Sequence, residues 1–130
     1  MILFYAAEKN HVVETIEQLV TEQLPNRPLI HCRSLSVLEQ RLRRPRVDIE
    51  VILISISDAI EMRQLNAMRQ LLIDLRVVIV LPSRDPDIIA WAHKLLPRFI
   101  AYADSGFEQV GAVLEKMLGK SRVLQFPAIR

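Results

Sequence analysis

A single cysteine, Cys32, stands among 130 residues. No disulfide can form within the chain, and a reducing cytoplasm is the compartment this composition points to. Glycine is nearly as scarce, at three residues, which excludes collagen-like repeats. Long apolar runs are missing too. Val77 to Leu81 is closed off by Arg76 and Pro82, far short of the roughly 18 to 20 residues a membrane-spanning helix needs. Met1 to Ala7 is apolar, but no basic residue precedes it and Glu8-Lys9-Asn10 follows at once, so it does not read as a secretory signal. Charge of neither sign dominates: 17 Lys and Arg stand against 15 Asp and Glu, a net +2, and bulk charge gives no argument for nucleic acid. What the chain has instead is 51% hydrophobic and 25% charged residues, the composition of one compact domain with a well-filled aliphatic core.

Apolar runs and amphipathic stretches alternate along the chain. Ile2 to Tyr5 is too short for a helix and reads as a buried strand. Asn10 then suits a helix cap, with Val12, Val13, Ile16, Leu19, Val20 and Leu24 at helical spacing up to Pro25. Leu29 to Arg33 supplies a second strand. Ser34 or Ser36 caps the next helix, Ser36 with Glu39 fitting a capping box, and Leu35, Leu38 and Leu42 face inward. Glu50 to Ile56 has the continuous β-branched content of a strand covered on both faces, as a parallel sheet between helix layers requires. Asp58 and Glu61 open a third helix whose inner stripe is Leu65, Met68, Leu71, Leu72 and Leu75. Val77 to Leu81 is the fourth strand. Asp85 and Pro86 begin a fourth helix carrying Ile88, Ile89, Ala92, Leu95 and Leu96, closed by Pro97. Arg98 to Tyr102 is the fifth strand, and Ser105 with Glu108 forms a second capping box before a helix ending at Gly119. Strict alternation of five strands and five helices predicts a flavodoxin-like three-layer αβα sandwich with a parallel sheet in the order 2-1-3-4-5. The expected domain spans residues 1–119, with a C-terminal tail over 120–130. The expected core sheet contains Leu3, Ile30, Ile52, Leu53, Val78, Ile79, Val80 and Ile100.

In such a sheet, ligands bind beyond the carboxyl ends of the strands. The segment Ala6 to Asn10 holds no glycine, so it cannot bring backbone N–H groups onto a phosphate as a glycine-rich first turn does.

The chain order, the length and the run Glu50-Val51-Ile52-Leu53-Ile54-Ser55 resemble the receiver domain of bacterial response regulators, the CheY-like family, over almost the whole chain. In that family an acidic pair ends the first strand and binds magnesium, and an aspartate ending the third strand takes a phosphoryl group. A Thr or Ser ends the fourth strand and a lysine the fifth. The resemblance carries these positions onto Ala6 and Ala7, with Glu8 beside them, onto Ser55, onto Pro82 or Ser83, and onto Tyr102 or Ala103. The acidic pair, the acceptor and the lysine are absent. Phosphoryl transfer to a carboxylate relies on a divalent cation held by oxygen ligands and on cationic groups that offset developing charge, and alanines supply neither. The resemblance therefore implies a degenerate receiver, with no cofactor and no specific magnesium site.

The remaining chemistry-bearing residues assemble no other catalytic pattern. His11, His31 and His93 are scattered, and His31 beside Cys32 lacks a second ligand pair at zinc spacing. Cys32 on a strand reads as a small hydrophobe without a paired base. Ser83, Asp85 and His93 have no nucleophile elbow. Arg41, Arg43, Arg44 and Arg46 form the one marked charge cluster; three meet the negative end of the second helix, and no aromatic platform is interleaved with them. The fourth helix carries an apolar sector of about 160°, wider than a core-facing stripe needs, with Trp91 at its edge. Met62 and Ile73 project together from the third helix, away from its inner stripe.

Three functions follow as expectations. The first is a non-enzymatic signalling module acting through a protein partner or a second copy; the output face typical of receivers would fall on Ile88, Trp91, Leu95, Tyr102 and Phe107. The second is an enzyme or small-ligand binder whose pocket is lined by Glu8, Ser55, Ser83 and Asp104. The third is a nucleic-acid accessory protein using the arginines of residues 41–46.

Overall fold

The computed structural model describes the backbone of residues 1–124 and the side chains of residues 1–118. Its elements are β1 (Ile2–Ala6), α1 (His11–Gln23), β2 (Leu29–Cys32), α2 (Leu35–Leu42), β3 (Val51–Ser55) and α3 (Ala59–Ala67). A 3-10 turn (Arg69–Leu72) follows, then β4 (Val77–Leu81), α4 (Pro86–His93), β5 (Phe99–Tyr102) and α5 (Glu108–Leu124). The strands form one sheet in the order β2-β1-β3-β4-β5, every pair parallel. This is the expected flavodoxin-like αβα architecture with its five helices.

Alternation along each strand sends side chains to two separate cores. Ile2, Phe4, Leu53, Val78 and Val80 pack with Ile16 and Val20 of α1 and with Val110 and Leu114 of α5. Leu3, Tyr5, Ile52, Ile54 and Ile79 pack with Leu38 of α2, Met62 and Leu65 of α3, and Ile88 and Ala92 of α4. The central strands are buried at every residue, which is why their sequences run apolar without a polar face. Among the described residues no helix is long and apolar enough to cross a membrane.

Short polar side chains fix where helices begin. Asn10 Oδ1 accepts from the Val13 amide at 3.0 Å, and Asp58 Oδ1 accepts from the Glu61 amide at 2.8 Å. Asp85 Oδ1 accepts from the Asp87 amide at 2.8 Å, with Pro86 in the first turn, where no amide donor is needed. The cap of α2 is Ser34, whose Oγ accepts from the Val37 amide at 3.1 Å; Ser36 lies inside the helix and forms no cap. Ser105 does not open α5 either, since that helix starts at Glu108 with the Gly111 amide bonded to the Phe107 carbonyl.

Several expectations fail, some where helices are shorter or longer than their apolar patterns and others at the edges of the sheet. The third helix stops at Ala67 and tightens into the 3-10 turn, so its spacing does not run on at 3.6 residues per turn. Met62 stands three residues before Leu65 on the same face of α3 and is fully buried, contrary to expectation, while Ile73, beyond the helix, is exposed as expected. The fourth helix ends at His93: the Lys94, Leu95 and Leu96 amides bond three residues back, to the Trp91, Ala92 and His93 carbonyls, and Leu96, before Pro97, which has no amide to donate, takes φ 55°. Leu96 is therefore 73% exposed, outside the apolar sector assigned to it. Ile30 lies on the edge strand β2 and is 44% exposed, and Ile100 on the opposite edge is half-buried; neither belongs to the buried core. Strands β2 and β5 omit Arg33 and Arg98. Helix α5 continues past Gly119 to Leu124, and the rest of the expected tail, residues 125–130, lies outside the described residues.

Candidate functional site

The sheet register brings the ends of the strands together: Ala6 pairs with Ser55, Ser55 with Val80, and Leu81 with Tyr102. Above them lies a cavity of about 140 Å³ lined by Glu8, Asn10, Ser55, Ser57, Pro82 and Ala103 among others. Glu8, Ser55, Pro82 and Ala103 thus do meet at the place the resemblance assigned to the receiver site. Of the four residues of the ligand-pocket expectation, only Glu8 and Ser55 line this cavity. Ser83 turns its Oγ to the Asp85 amide at 3.3 Å, and Asp104 pairs with Arg84 at 3.4 Å.

The donor set does not fit a divalent cation. Ala6 and Ala7 bring no oxygen side chain, Ser55 brings a neutral hydroxyl, and Glu8 is the one carboxylate in the cavity wall. Among the described residues no cluster of three or more His, Cys, Asp or Glu is placed to hold a metal ion.

A second, wider cleft of about 370 Å³ opens on the α2–α3 side of the same edge, between Ala7, Glu8, Arg33, Ser34, Asp58 and Ile60. Its inner wall is a buried polar network that the sequence did not reveal. The Tyr5 hydroxyl donates to Glu61 Oε2, and Glu61 Oε1 accepts from the Ser57 amide at 2.7 Å. Burial, and then the bond to the Glu61 carboxylate, push the Tyr5 hydroxyl well above the usual tyrosine range. The spacing Asp58-x-x-Glu61 marked a helix start, but nothing in it pointed to Tyr5, 56 residues earlier.

The expected interface residues divide between two layers. Ile88 and Leu95 are only 6% and 5% exposed and belong to the core beneath α4, so neither presents a surface. Trp91 and Tyr102 are half-buried and pack against that same core, whereas Phe107 packs against the core on the α1–α5 face. Trp91 and Tyr102 each carry a cation over the ring: Lys94 Nζ lies 4.2 Å from the Trp91 centroid and the Arg84 guanidinium 4.0 Å from that of Tyr102. Asn66 on α3 donates to the Trp91 carbonyl at 2.9 Å, which ties α4 to α3.

The arginine cluster is largely answered by carboxylates of its own neighbourhood. Arg41 makes two bonds to Asp48, at 2.9 and 3.1 Å, and holds that carboxyl below its usual range. Arg43 pairs with Glu39 at 2.8 Å, and Arg46 bonds the Leu71 carbonyl and lies 3.7 Å from Asp74. Arg44 is exposed at the end of the helix.

His31 stacks on Phe4 with centroids 5.0 Å apart, its Nε2 lying 3.3 Å from the Ala6 carbonyl and its Nδ1 3.1 Å from Glu17. Cys32 is buried, and burial pushes its thiol up.

The geometry defines a doubly wound parallel sheet whose C-terminal edge gathers the loops after β1, β3, β4 and β5. Solved structures place it further. A response-regulator receiver domain protein from Clostridium thermocellum is similar at TM-score 0.66 and 15% identity, covering 95% of this chain and 97% of its own. The signal receiver domain of an HD-domain-containing protein from Pseudomonas fluorescens gives TM-score 0.66 and 15% identity, covering 95% and 90%. A pilus assembly-related protein from Burkholderia pseudomallei gives 0.64 and 13%, covering 92% and 89%. No protein-family model and no curated protein matches the sequence. The chain has the receiver fold, shared over almost its entire length at identities that speak for the fold alone.

Proposed function

We propose that this chain is a receiver-fold signalling module that acts by binding a protein, another copy or a different chain, and not by accepting a phosphoryl group. The observation that carries the reading is the edge cavity: its wall has one carboxylate, Glu8, and a serine at the end of β3, where acyl-phosphate chemistry needs an acidic pair, an acceptor carboxylate and a cation. The Tyr5–Glu61–Ser57 network supports it, since protein groups alone tie β1 to the loop after β3. The reading places the module's use on its surface, and Trp91 and Tyr102, the half-buried aromatics on the α4–β5 side, support that placement.

The nucleic-acid alternative loses ground because three of its four arginines are engaged by Asp48, Glu39 and Asp74. A small-ligand enzyme loses ground because Ser83 and Asp104 turn away from Glu8 and Ser55. The test is association of the wild-type chain and of Trp91→Ala, by sedimentation and by pull-down, at matched folded fraction. Weakened association of the variant supports the reading, and association that simply follows the folded fraction contradicts it.

A further inference from the structure

Arg84 stands on the loop between β4 and α4 and reaches across to the loop between β5 and α5. Its guanidinium covers the Tyr102 ring at 4.0 Å, donates to Ser105 Oγ at 3.0 Å and lies 3.4 Å from Asp104 Oδ1. Both ends of this bridge are anchored to backbone. On one side the Asp85 amide donates to Ser83 Oγ and Asp85 caps α4. On the other, the Ala103 amide donates to the Leu81 carbonyl at 2.8 Å and the Ser105 amide to the Tyr102 carbonyl at 3.1 Å. A cavity of about 420 Å³ adjoins the ring, walled by Arg84, Tyr102, Ser105 and Gly106, so the ring has space into which it could turn. A planar guanidinium can stack on a ring and bond two oxygens at once, which an ammonium cannot do with the same geometry.

We infer that Arg84 is a positioning residue, a clamp that holds the Tyr102 ring in one rotamer and couples the loops before α4 and α5. It rests on the reading of the α4–β5 side as the contact surface and deepens it: the surface is presented in one preformed arrangement, because the Tyr102 ring is held by the guanidinium of Arg84. Three contacts converge on one guanidinium, two of them to the loop that follows the clamped residue. Removing the guanidinium releases the ring and both loops together, whereas a merely space-filling side chain would loosen only its own loop.

The experiment uses the full chain without any partner, so its outcome is independent of whether the interface reading holds. Side-chain couplings of Tyr102 and amide exchange are measured by NMR in wild type, Arg84→Ala, Arg84→Lys and Asp104→Asn. Wild type is expected to show one χ1 state. In Arg84→Ala a second state rises to about a tenth of the population or more, and exchange quickens at Ser83–Asp85 and Asp104–Gly106 together. Arg84→Lys restores the single rotamer only in part, and Asp104→Asn, which leaves the ring contact in place, changes it least. A single Tyr102 rotamer retained in Arg84→Ala, or faster exchange confined to Ser83–Asp85, would overturn the clamp. Arg84 is more than half exposed, so these variants are expected to fold, and the two conservative changes carry the test if the alanine variant does not.

Discussion

The Tyr5 hydroxyl donates to Glu61 Oε2 across the space between the first strand and the third helix, with both residues buried. Through its other oxygen, Glu61 holds the Ser57 amide, so one carboxylate fastens β1 to the loop that follows β3. Buried polar groups are costly unless satisfied, and here both carboxylate oxygens have partners. The pairing fixes the loop after β3 against β1 at this edge of the sheet.

Tyr5→Phe leaves Glu61 Oε2 without its donor in a buried site and is expected to cost about 1–3 kcal/mol, read by urea denaturation. A loss within experimental error would show that solvent satisfies Glu61 and that the network does not fasten the loop.

Burial of the Tyr5 hydroxyl, together with the same bond, predicts an alkaline limit. Folding raises the Tyr5 value above its ordinary 10.0, so its contribution is fully present below about pH 10 and is lost as pH climbs towards the raised folded value. The difference in stability between wild type and Tyr5→Phe is therefore expected to be constant from neutral pH to about pH 10 and to shrink above it. A difference that stays constant at higher pH contradicts the assignment.

Leu53 is fully buried on the central strand. Leu53→Ala is expected to cost about 2–5 kcal/mol through lost burial and a residual cavity. A cost below about 1 kcal/mol would contradict its place in the core.

Cys32 should behave as an inert thiol. Burial disfavours its thiolate, so reaction with an aromatic disulfide reagent is expected to be slow in the native protein and fast in denaturant. Equal rates in the two states would place the sulfur at the surface.

What was legible in the sequence follows from which forces are local. Helix starts at Asn10, Asp58 and Asp85 could be read because a cap bonds an amide two or three residues on. The buried strands could be read because two covered faces leave no room for polar residues in Val51–Ile54 or Val77–Leu81. The helix ends were harder: α4 and α3 stop before their apolar spacing does, so Leu96 lies outward beyond α4, and Met62 shares the inner face with Leu65 once the stripe of α3 is not carried past Ala67. At the site, strand ends were located well enough that Glu8, Ser55, Pro82 and Ala103 share one cavity. The Tyr5–Glu61 bond and the Arg84 bridge join residues 56 and 18 to 21 positions apart, and no local pattern announces such pairings. The interface set mixed core with surface because Ile88 and Leu95 fill the space under α4 that their helical spacing left undecided.

The proposed function turns on the end of β3 carrying no phosphoryl acceptor. Its most direct measurement is intact mass after incubation with acetyl phosphate and magnesium, paired with NMR of the edge loops on adding beryllofluoride and magnesium. With Ser55 in the acceptor position and Glu8 the one carboxylate in the cavity wall, the mass is expected to stay unchanged and the resonances of residues 6–10, 55–58, 82–84 and 103–106 to stay in place. A stoichiometric acyl phosphate, or saturable shifts centred on that cavity, would contradict the claim.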